Sequence, residues 1–177
     1  MRRRSYDGNV AHGYDVAALT FSSEFDPSIP RYQIVSAGFD TTADALLTGF
    51  GQTGIGTTGA TLGGGTKRVG LNTFEAQGLG AAPFNVGGIT NNSTQLTADF
   101  DSGIAANDAF DFWFGPMVDL GKGGDEVGFG SGDSGGPAFF DVDPSAGVDY
   151  RIGGVNSYIF SNCSGRSSTK NPGFLLD

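Results

Sequence analysis

The chain has 177 residues, 31 of them glycine and 15 phenylalanine, and its formal net charge at pH 7 is -9. This length fits one domain or slightly more, and the many glycines with few helix-forming runs predict an all-β protein of short strands joined by turns. The acidic balance argues against nucleic acid as a partner, and since no run of about eighteen apolar residues is present, no membrane span is expected.

The first segment begins with Met1-Arg2-Arg3-Arg4, which has the positive charge of a signal peptide's first part. Polar residues follow at 5–9, where a signal peptide requires an apolar stretch of about 7–15 residues. We therefore expect no working secretion signal here.

The first predicted strand covers residues 14–21, where Asp15 precedes a mostly apolar run. The only histidine, His12, lies three residues before that aspartate, and we expect it to be a loop residue. A connecting stretch is predicted at residues 25–30, which contain two prolines.

The next predicted strand covers residues 46–51 and leads into a glycine-rich stretch at 51–65. Residues 54–59 fit the G-x-G-x-x-G pattern of dinucleotide-binding proteins, but that site needs a helix to begin at the last glycine. Three consecutive glycines at 63–65 would end such a helix after one turn. A flexible loop is therefore predicted instead of a cofactor site.

An acidic stretch follows between residues 99 and 126, in which Lys122 is the only cation. Carboxylates suit Ca²⁺, although the twelve-residue loop with alternating ligands and a closing glutamate is absent. Calcium binding and a solvated acidic loop stay open as alternatives, and no other metal or cofactor is expected. The carboxylates are those of Asp99, Asp101, Asp108, Asp111, Asp119, Asp125 and Glu126.

The segment Gly132-Asp133-Ser134-Gly135-Gly136-Pro137 carries the strongest chemical signal. Glycines around Ser134 allow a tight turn that can aim the N–H groups of Gly132 and Ser134 at one point, which would form an oxyanion hole. An ordinary glycine-rich turn is the simpler alternative. The apolar residues 138–140 continue as a strand, whereas the nucleophile elbow of lipases is followed by a helix.

Two more elements close the chain. Residues 154–159 predict a strand, and residues 171–174 follow near the end. In this order, the motifs resemble those of the trypsin/chymotrypsin-like serine proteases, from about residue 14 to the last residue. The resemblance implies a double six-stranded β-barrel, with a remnant of the first barrel at 1–28 and the second barrel at 29–177.

The resemblance also assigns catalytic roles. Ser134 would be the nucleophile and Asp15 the carboxylate that orients the catalytic histidine. A serine hydroxyl needs such a base, and the family's histidine lies tens of residues before the aspartate, so His12 does not match it. The resemblance therefore implies a serine endopeptidase whose histidine lies upstream in an intact parent, while this chain alone is inactive. A catalytically dead binding protein on the same scaffold is the alternative.

The family's pocket positions are matched by Gly128 at the base and by Ile159 and Gly173 in the walls, while Ser157 and Tyr158 would flank a peptide that adds as a strand. Gly128 carries no carboxylate and Ile159 is branched, so the resemblance implies cleavage after small or medium apolar residues.

The resemblance further implies an extracellular or periplasmic monomer that acts on proteins or peptides. The single cysteine, Cys163, cannot form an internal disulfide, which favours a disulfide-poor origin.

Asp133 has two interpretations. In the family, this residue receives a new N-terminal amine after a pro-segment is removed. The alternative is a turn aspartate that binds nearby N–H groups. In this chain, which lacks such a terminus, we expect Asp133 to have no ion-pair partner.

Overall fold

The computed structural model describes residues 6–10, 13–36, 39, 43–55, 59–74, 76–77, 85–86, 89–90, 95–100, 121–145, 147–160 and 173–176. The strands within them are β1 (Asp44–Gly49), β2 (Thr53–Ile55), β3 (Gly59–Leu62), β4 (Arg68–Thr73), β5 (Ala76–Gln77), β6 (Asn85–Val86), β7 (Ile89–Thr90), β8 (Leu96–Ala98), β9 (Pro137–Asp141), β10 (Tyr150–Phe160) and β11 (Gly173–Leu176). The short 3-10 helix Gly123–Asp125 precedes the nucleophile region. The predicted all-β class is confirmed.

Seven strands form one sheet in the order β4-β1-β9-β10-β11-β8-β5, and β2-β3 and β6-β7 form two separate pairs. All these pairings are antiparallel. The longest strand, β10, has 11 residues and pairs with β9 through its first half and with β11 through its second half. It therefore lies between β9, the strand that follows Ser134, and β11.

The core follows the period of two that strands impose on their side chains. In β1, Ala45 and Leu47 are buried, and in β9, Ala138 and Phe140 are buried. The register places Ala45 opposite Phe140, and Leu47 opposite Ala138. The Phe140 ring also contacts the ring of Phe74, at a centroid distance of 6.0 Å. The predicted strands are thus confirmed at residues 46–49 and 138–140, which pair with each other in the sheet.

The two ends of the sheet are close in the chain. The strands β4 and β5 lie at opposite ends of the hydrogen-bonded order, yet Thr73 and Ala76 are separated by only two residues. One of these two, Phe74, is fully buried. Among the described strands, no pairing closes this order into a ring, so the confirmed fold is an antiparallel sheet.

The segment before the sheet differs from the prediction. Residues 14–21 were expected to form a strand, but none is present there, and Leu19 is 77% exposed. A strand needs a neighbour for its N–H and C=O groups, and the described residues provide one only further along. There, the Val35 N–H donates to the Ile152 carbonyl at 3.0 Å, and the Ile152 N–H donates to the Gln33 carbonyl at 2.8 Å.

The glycine-rich stretch at 51–65 is also more regular than predicted. It contains the paired strands β2 and β3, so the flexible-loop prediction is wrong for those residues. Gly59 begins a strand and not a helix, which agrees with the rejection of a dinucleotide site. Local glycine content predicted a loop because it does not reveal strand pairing.

The acidic stretch is only partly described. Asp125 is exposed, as a solvated loop predicts, but Asp99 and Glu126 are 2% and 7% exposed, so that prediction is wrong for them. Glu126 accepts a hydrogen bond from the Lys122 N–H at 3.1 Å, which offsets part of its burial cost. The other carboxylates, Asp101, Asp108, Asp111 and Asp119, lie outside the described residues.

Candidate active site

Ser134 lies at the tip of a double turn that leads into β9. The Asp133 N–H donates to the Gly130 carbonyl at 3.1 Å, and the Gly136 N–H donates to the Asp133 carbonyl at 3.0 Å. Gly132 and Gly135 have φ angles of 99° and 80°, a region that side chains with a Cβ adopt only at a cost. Glycine is therefore what this backbone favours at both positions, and the turn leaves Ser134 exposed.

The predicted oxyanion donors are free of competing acceptors. In the part of the chain that the structure describes, neither the Gly132 N–H nor the Ser134 N–H donates to another residue. Unpaired N–H groups on a serine and on the residue two positions before it are an arrangement that can hold a developing oxyanion, provided that they point to one site. The backbone of this turn is thus compatible with acyl-transfer chemistry.

The predicted carboxylate also has a defined partner. The Ser157 hydroxyl donates to Asp15 Oδ2 at 2.9 Å, across 142 positions of sequence. Asp15 follows Gly13 and Tyr14, whose φ angles of 71° and 64° turn the chain just before it. This contact ties the extended segment before the sheet to β10, and it brings together two residues that the sequence predicted for the same site.

A cavity of about 240 Å³ lies beside Ser134, the predicted nucleophile. Its walls include Ser134 together with three predicted pocket residues, Ser157, Tyr158 and Ile159. The sequence reasoning missed Phe129 and Asn156, which also line it. A signal for Asn156 existed, since the period of two places this polar side chain on the same face of β10 as Gly154, and both residues are buried.

Two predicted pocket residues are not among the described lining residues of this cavity. Gly128 lines a different cavity of about 170 Å³, together with Leu47, Val69 and Phe129. Gly173 begins β11 and pairs with Phe160, next to Ile159 in β10. Their proposed roles at the base and wall of the pocket stay predictions.

The strands β9 and β11 lie on opposite sides of β10, and the β9 side of β10 loses its strand partner beside Ser134. Its pairing with β9 ends at Val155, where the Gly135 N–H donates to the Asn156 carbonyl at 2.8 Å and the Asn156 N–H donates to the Gly136 carbonyl at 2.9 Å. Among the described strands, residues 157–160 pair only with β11. An extended peptide beside these residues would pass Ser134.

The partners of Asp133 are backbone N–H groups, and its expected lack of an ion-pair partner stays a prediction. Its Oδ1 accepts the Gly51 N–H at 2.7 Å, and its Oδ2 accepts the Gly130 N–H at 2.9 Å. This matches the turn-aspartate interpretation. The sequence could not identify Gly51 as a partner because 82 positions separate it from Asp133.

Several predictions cannot be placed. His12 and Cys163 lie outside the described residues. Within the described ranges, no group of three His, Cys, Asp or Glu side chains could hold a metal ion. No helix in this part of the protein is long and apolar enough to cross a membrane.

Comparisons with protein-family models, with curated proteins and with solved structures each found no match to this chain. The geometry around Ser134 is therefore the basis for assigning a function.

Proposed function

We propose that this chain is the larger part of a serine endopeptidase of the trypsin/chymotrypsin-like type. The hydrogen bond between Ser157 and Asp15 carries the proposal. It anchors a carboxylate from the far end of the sequence to the wall of the cavity that holds Ser134. A structural turn aspartate would not need a partner in that wall, whereas a carboxylate that orients a catalytic imidazole must be fixed beside the nucleophile.

The proposed mechanism proceeds through an acyl-enzyme. An imidazole held by Asp15 takes the proton of the Ser134 hydroxyl while its oxygen attacks the peptide carbonyl. The N–H groups of Gly132 and Ser134 stabilise the oxyanion, and the imidazolium then protonates the leaving amine. Water, activated by the same imidazole, hydrolyses the ester and restores Ser134.

The catalytic imidazole is the one group of this mechanism that the residues named above do not supply. The chain's single histidine is His12, which does not match the family's base position. We therefore propose that the base belongs to sequence outside these 177 residues, and that the isolated chain is nearly inactive. Without the base, only the oxyanion hole and binding would contribute to the rate.

The strand order supports the barrel part of the proposal. The sheet would become a ring of six strands if β4 and β5 act as one bent strand across Phe74. Closure of this kind removes exposed edges, and it would enclose the apolar core between β1 and β8. In this proposal, residues 29–177 form the second barrel and residues 1–28 belong to the first.

The cavity supports a substrate class. Its apolar walls come from Phe129 and Ile159, and no Asp, Glu, Lys or Arg is among its described lining residues. A small or medium apolar side chain before the cleaved bond suits such a site, since a cationic side chain would lose its water without a counter-charge. The peptide backbone would lie along residues 157–160 of β10. An extracellular or periplasmic monomer remains part of the proposal.

A binding protein without catalysis is the second candidate. It is favoured by one observation, that the Ser134 hydroxyl makes no hydrogen bond to any described residue. In such a protein, the cavity and the adjacent edge of β10 would hold a peptide without cleaving it.

The test is a fluorophosphonate probe applied to the polypeptide encoded by the complete gene. If the protein is an enzyme, we expect covalent labelling of Ser134. The Ser134→Ala variant should show no labelling, and the Ser145→Ala variant should be labelled fully. A cooperatively folded sample that stays unlabelled would overturn the enzyme and leave the binding protein. Sequencing the gene upstream of Met1 supplies a second check, because the enzyme requires an in-frame histidine segment there.

A further inference from the structure

A fully buried glutamine holds the chain shortly before Asp15. Gln95 lies just before β8 and is 0% exposed. Its Nε2 donates to the Val10 carbonyl at 2.8 Å, across 85 positions of sequence. A side-chain amide loses its hydration when it is buried, and hydrogen bonds offset that cost. The amide of Gln95 therefore ties the segment before the sheet to the buried start of β8.

The Val10 carbonyl also holds the backbone next to Asp15. It accepts a second hydrogen bond, from the Gly13 N–H at 3.1 Å. Gly13 is buried, Tyr14 and Asp15 are half-buried, and residues 16–34 are mostly exposed. Among the described residues of this segment, those that end at Asp15 are therefore the ones fixed against the sheet.

Two neighbouring residues before Asp15, Gly13 and Tyr14, form a strained pair. Their φ angles are 71° and 64°, in the left-handed region. Glycine adopts this region freely, whereas the Cβ of Tyr14 makes it costly. Such strain persists where the surroundings fix the backbone, and it is typical of functional sites. Here the hydrogen bond from Gln95 lies before the strained pair, and the one to Asp15 lies after it.

We propose that Gln95 is a positioning residue that holds the Val10 carbonyl and thereby sets the Asp15 carboxylate against Ser157. The inference rests on the proposed function, because it gives Gln95 a part in orienting the catalytic imidazole through Asp15. Gln95 is not among the described lining residues of the cavity beside Ser134, so it acts through the backbone before Asp15.

Loss of the amide should loosen Asp15. Gln95→Met keeps an unbranched side chain of similar length that can pack in the core, but it removes the donor. The Val10 carbonyl would then lose one of its two hydrogen bonds, and the strained pair could relax. A displaced carboxylate would orient the imidazole less well, and a misplacement of about 1 Å can slow catalysis by about 10²-fold.

The first measurement detects the contact without any catalysis. Hydrogen exchange by NMR on the complete polypeptide should be slow for a side-chain amide proton of Gln95 and for the Gly13 N–H. Gln95→Met should speed exchange of the Gly13 N–H by about threefold to tenfold. The matched control, Thr97→Val, removes a hydroxyl without a hydrogen-bond partner from a residue of β8 that is also 0% exposed, and it should leave exchange unchanged. Fast exchange of both protons in the parent protein would overturn the proposal, whether or not a variant folds.

The second measurement follows the labelling of Ser134 by a fluorophosphonate. Gln95→Met should slow labelling at saturating probe by about 10- to 10²-fold and leave the half-saturating probe concentration within about twofold, since only the chemical step depends on Asp15. Thr97→Val should be labelled at the parent rate. An unchanged rate in a cooperatively folded Gln95→Met protein would contradict the proposal.

A double-mutant cycle separates positioning from a general loss of stability. In the Asp15→Asn protein, the carboxylate that Gln95 positions is already gone, so Gln95→Met should slow labelling further by less than about twofold. Equal slowing in both backgrounds would make Gln95 a purely structural residue and overturn the proposal. If the parent protein is not labelled, the proposed function fails, and the exchange rates still decide whether Gln95 holds the chain before Asp15.

Discussion

The region around Ser134 and the segment at residues 16–34 differ in how far their side chains are buried and hydrogen-bonded. Around Ser134, Phe140 is fully buried and both oxygens of Asp133 have donors. In the earlier segment, Leu19 is 77% exposed and Ile34 is 76% exposed. The difference shows that burial and hydrogen bonding are concentrated around Ser134, while Leu19 and Ile34 of the earlier segment are mostly exposed.

The hydrogen bond from Ser157 to Asp15, the residue just before the exposed segment, is the most sensitive point of this comparison. We expect Asp15→Asn to lower the rate of Ser134 labelling in the complete polypeptide by about 10⁴-fold, because the imidazole would lose the carboxylate that selects its tautomer. Asp26→Asn changes an exposed turn carboxylate of the same segment, which accepts the Ser28 N–H at 2.8 Å, and should leave the rate unchanged. Normal labelling in Asp15→Asn would separate Asp15 from the mechanism.

The buried core gives the largest expected change in stability. Phe140→Ala should lower the free energy of unfolding by about 3–5 kcal/mol, because it removes a ring packed against Phe39 and Phe74. Val148→Ala, at a site that is 73% exposed, should change it by about 0.5 kcal/mol or less. Urea unfolding of both variants measures the difference. A loss below about 1 kcal/mol for Phe140→Ala would mean that this core is not formed.

The glycines beside Asp133 give the next effect. Gly49→Ala should lower the free energy of unfolding by about 1–3 kcal/mol, because the new Cβ would overlap the carboxylate. Gly124→Ala is the matched control, since a Cβ there meets nothing within 4 Å. Thermal unfolding followed by circular dichroism compares the two. Equal stability would show that Asp133 lies elsewhere.

The smallest effect on stability is expected in the exposed segment. Leu19→Ser should change the free energy of unfolding of the 177-residue chain by about 0.5 kcal/mol or less, since Leu19 is mostly exposed. We expect this chain alone to aggregate through Val16, Leu19 and Phe21, and the triple serine variant to be more soluble. Light scattering measures the difference in aggregation between the 177-residue chain and its triple serine variant. A soluble parent chain with a sharp cooperative transition would contradict the expectation.

The two regions also differ in how far their structure could be predicted. Residues 46–49, 138–140 and 154–159 were predicted as strands and are strands, because alternating apolar residues bury one face whatever the partner. Residues 14–21 have a similar composition but form no strand. Their local pattern is compatible with pairing, while the pairing itself depends on a neighbour.

Local sequence determines the nucleophile turn, since Gly132 and Gly135 adopt positive φ angles that other residues rarely take. It also determines the strand that follows, through the alternation of buried residues in β9. Only the tertiary structure decides that Ser157 meets Asp15 across 142 positions and that Gly51 meets Asp133 across 82. Such contacts depend on how the whole sheet brings distant segments together, and no short-range pattern encodes that arrangement.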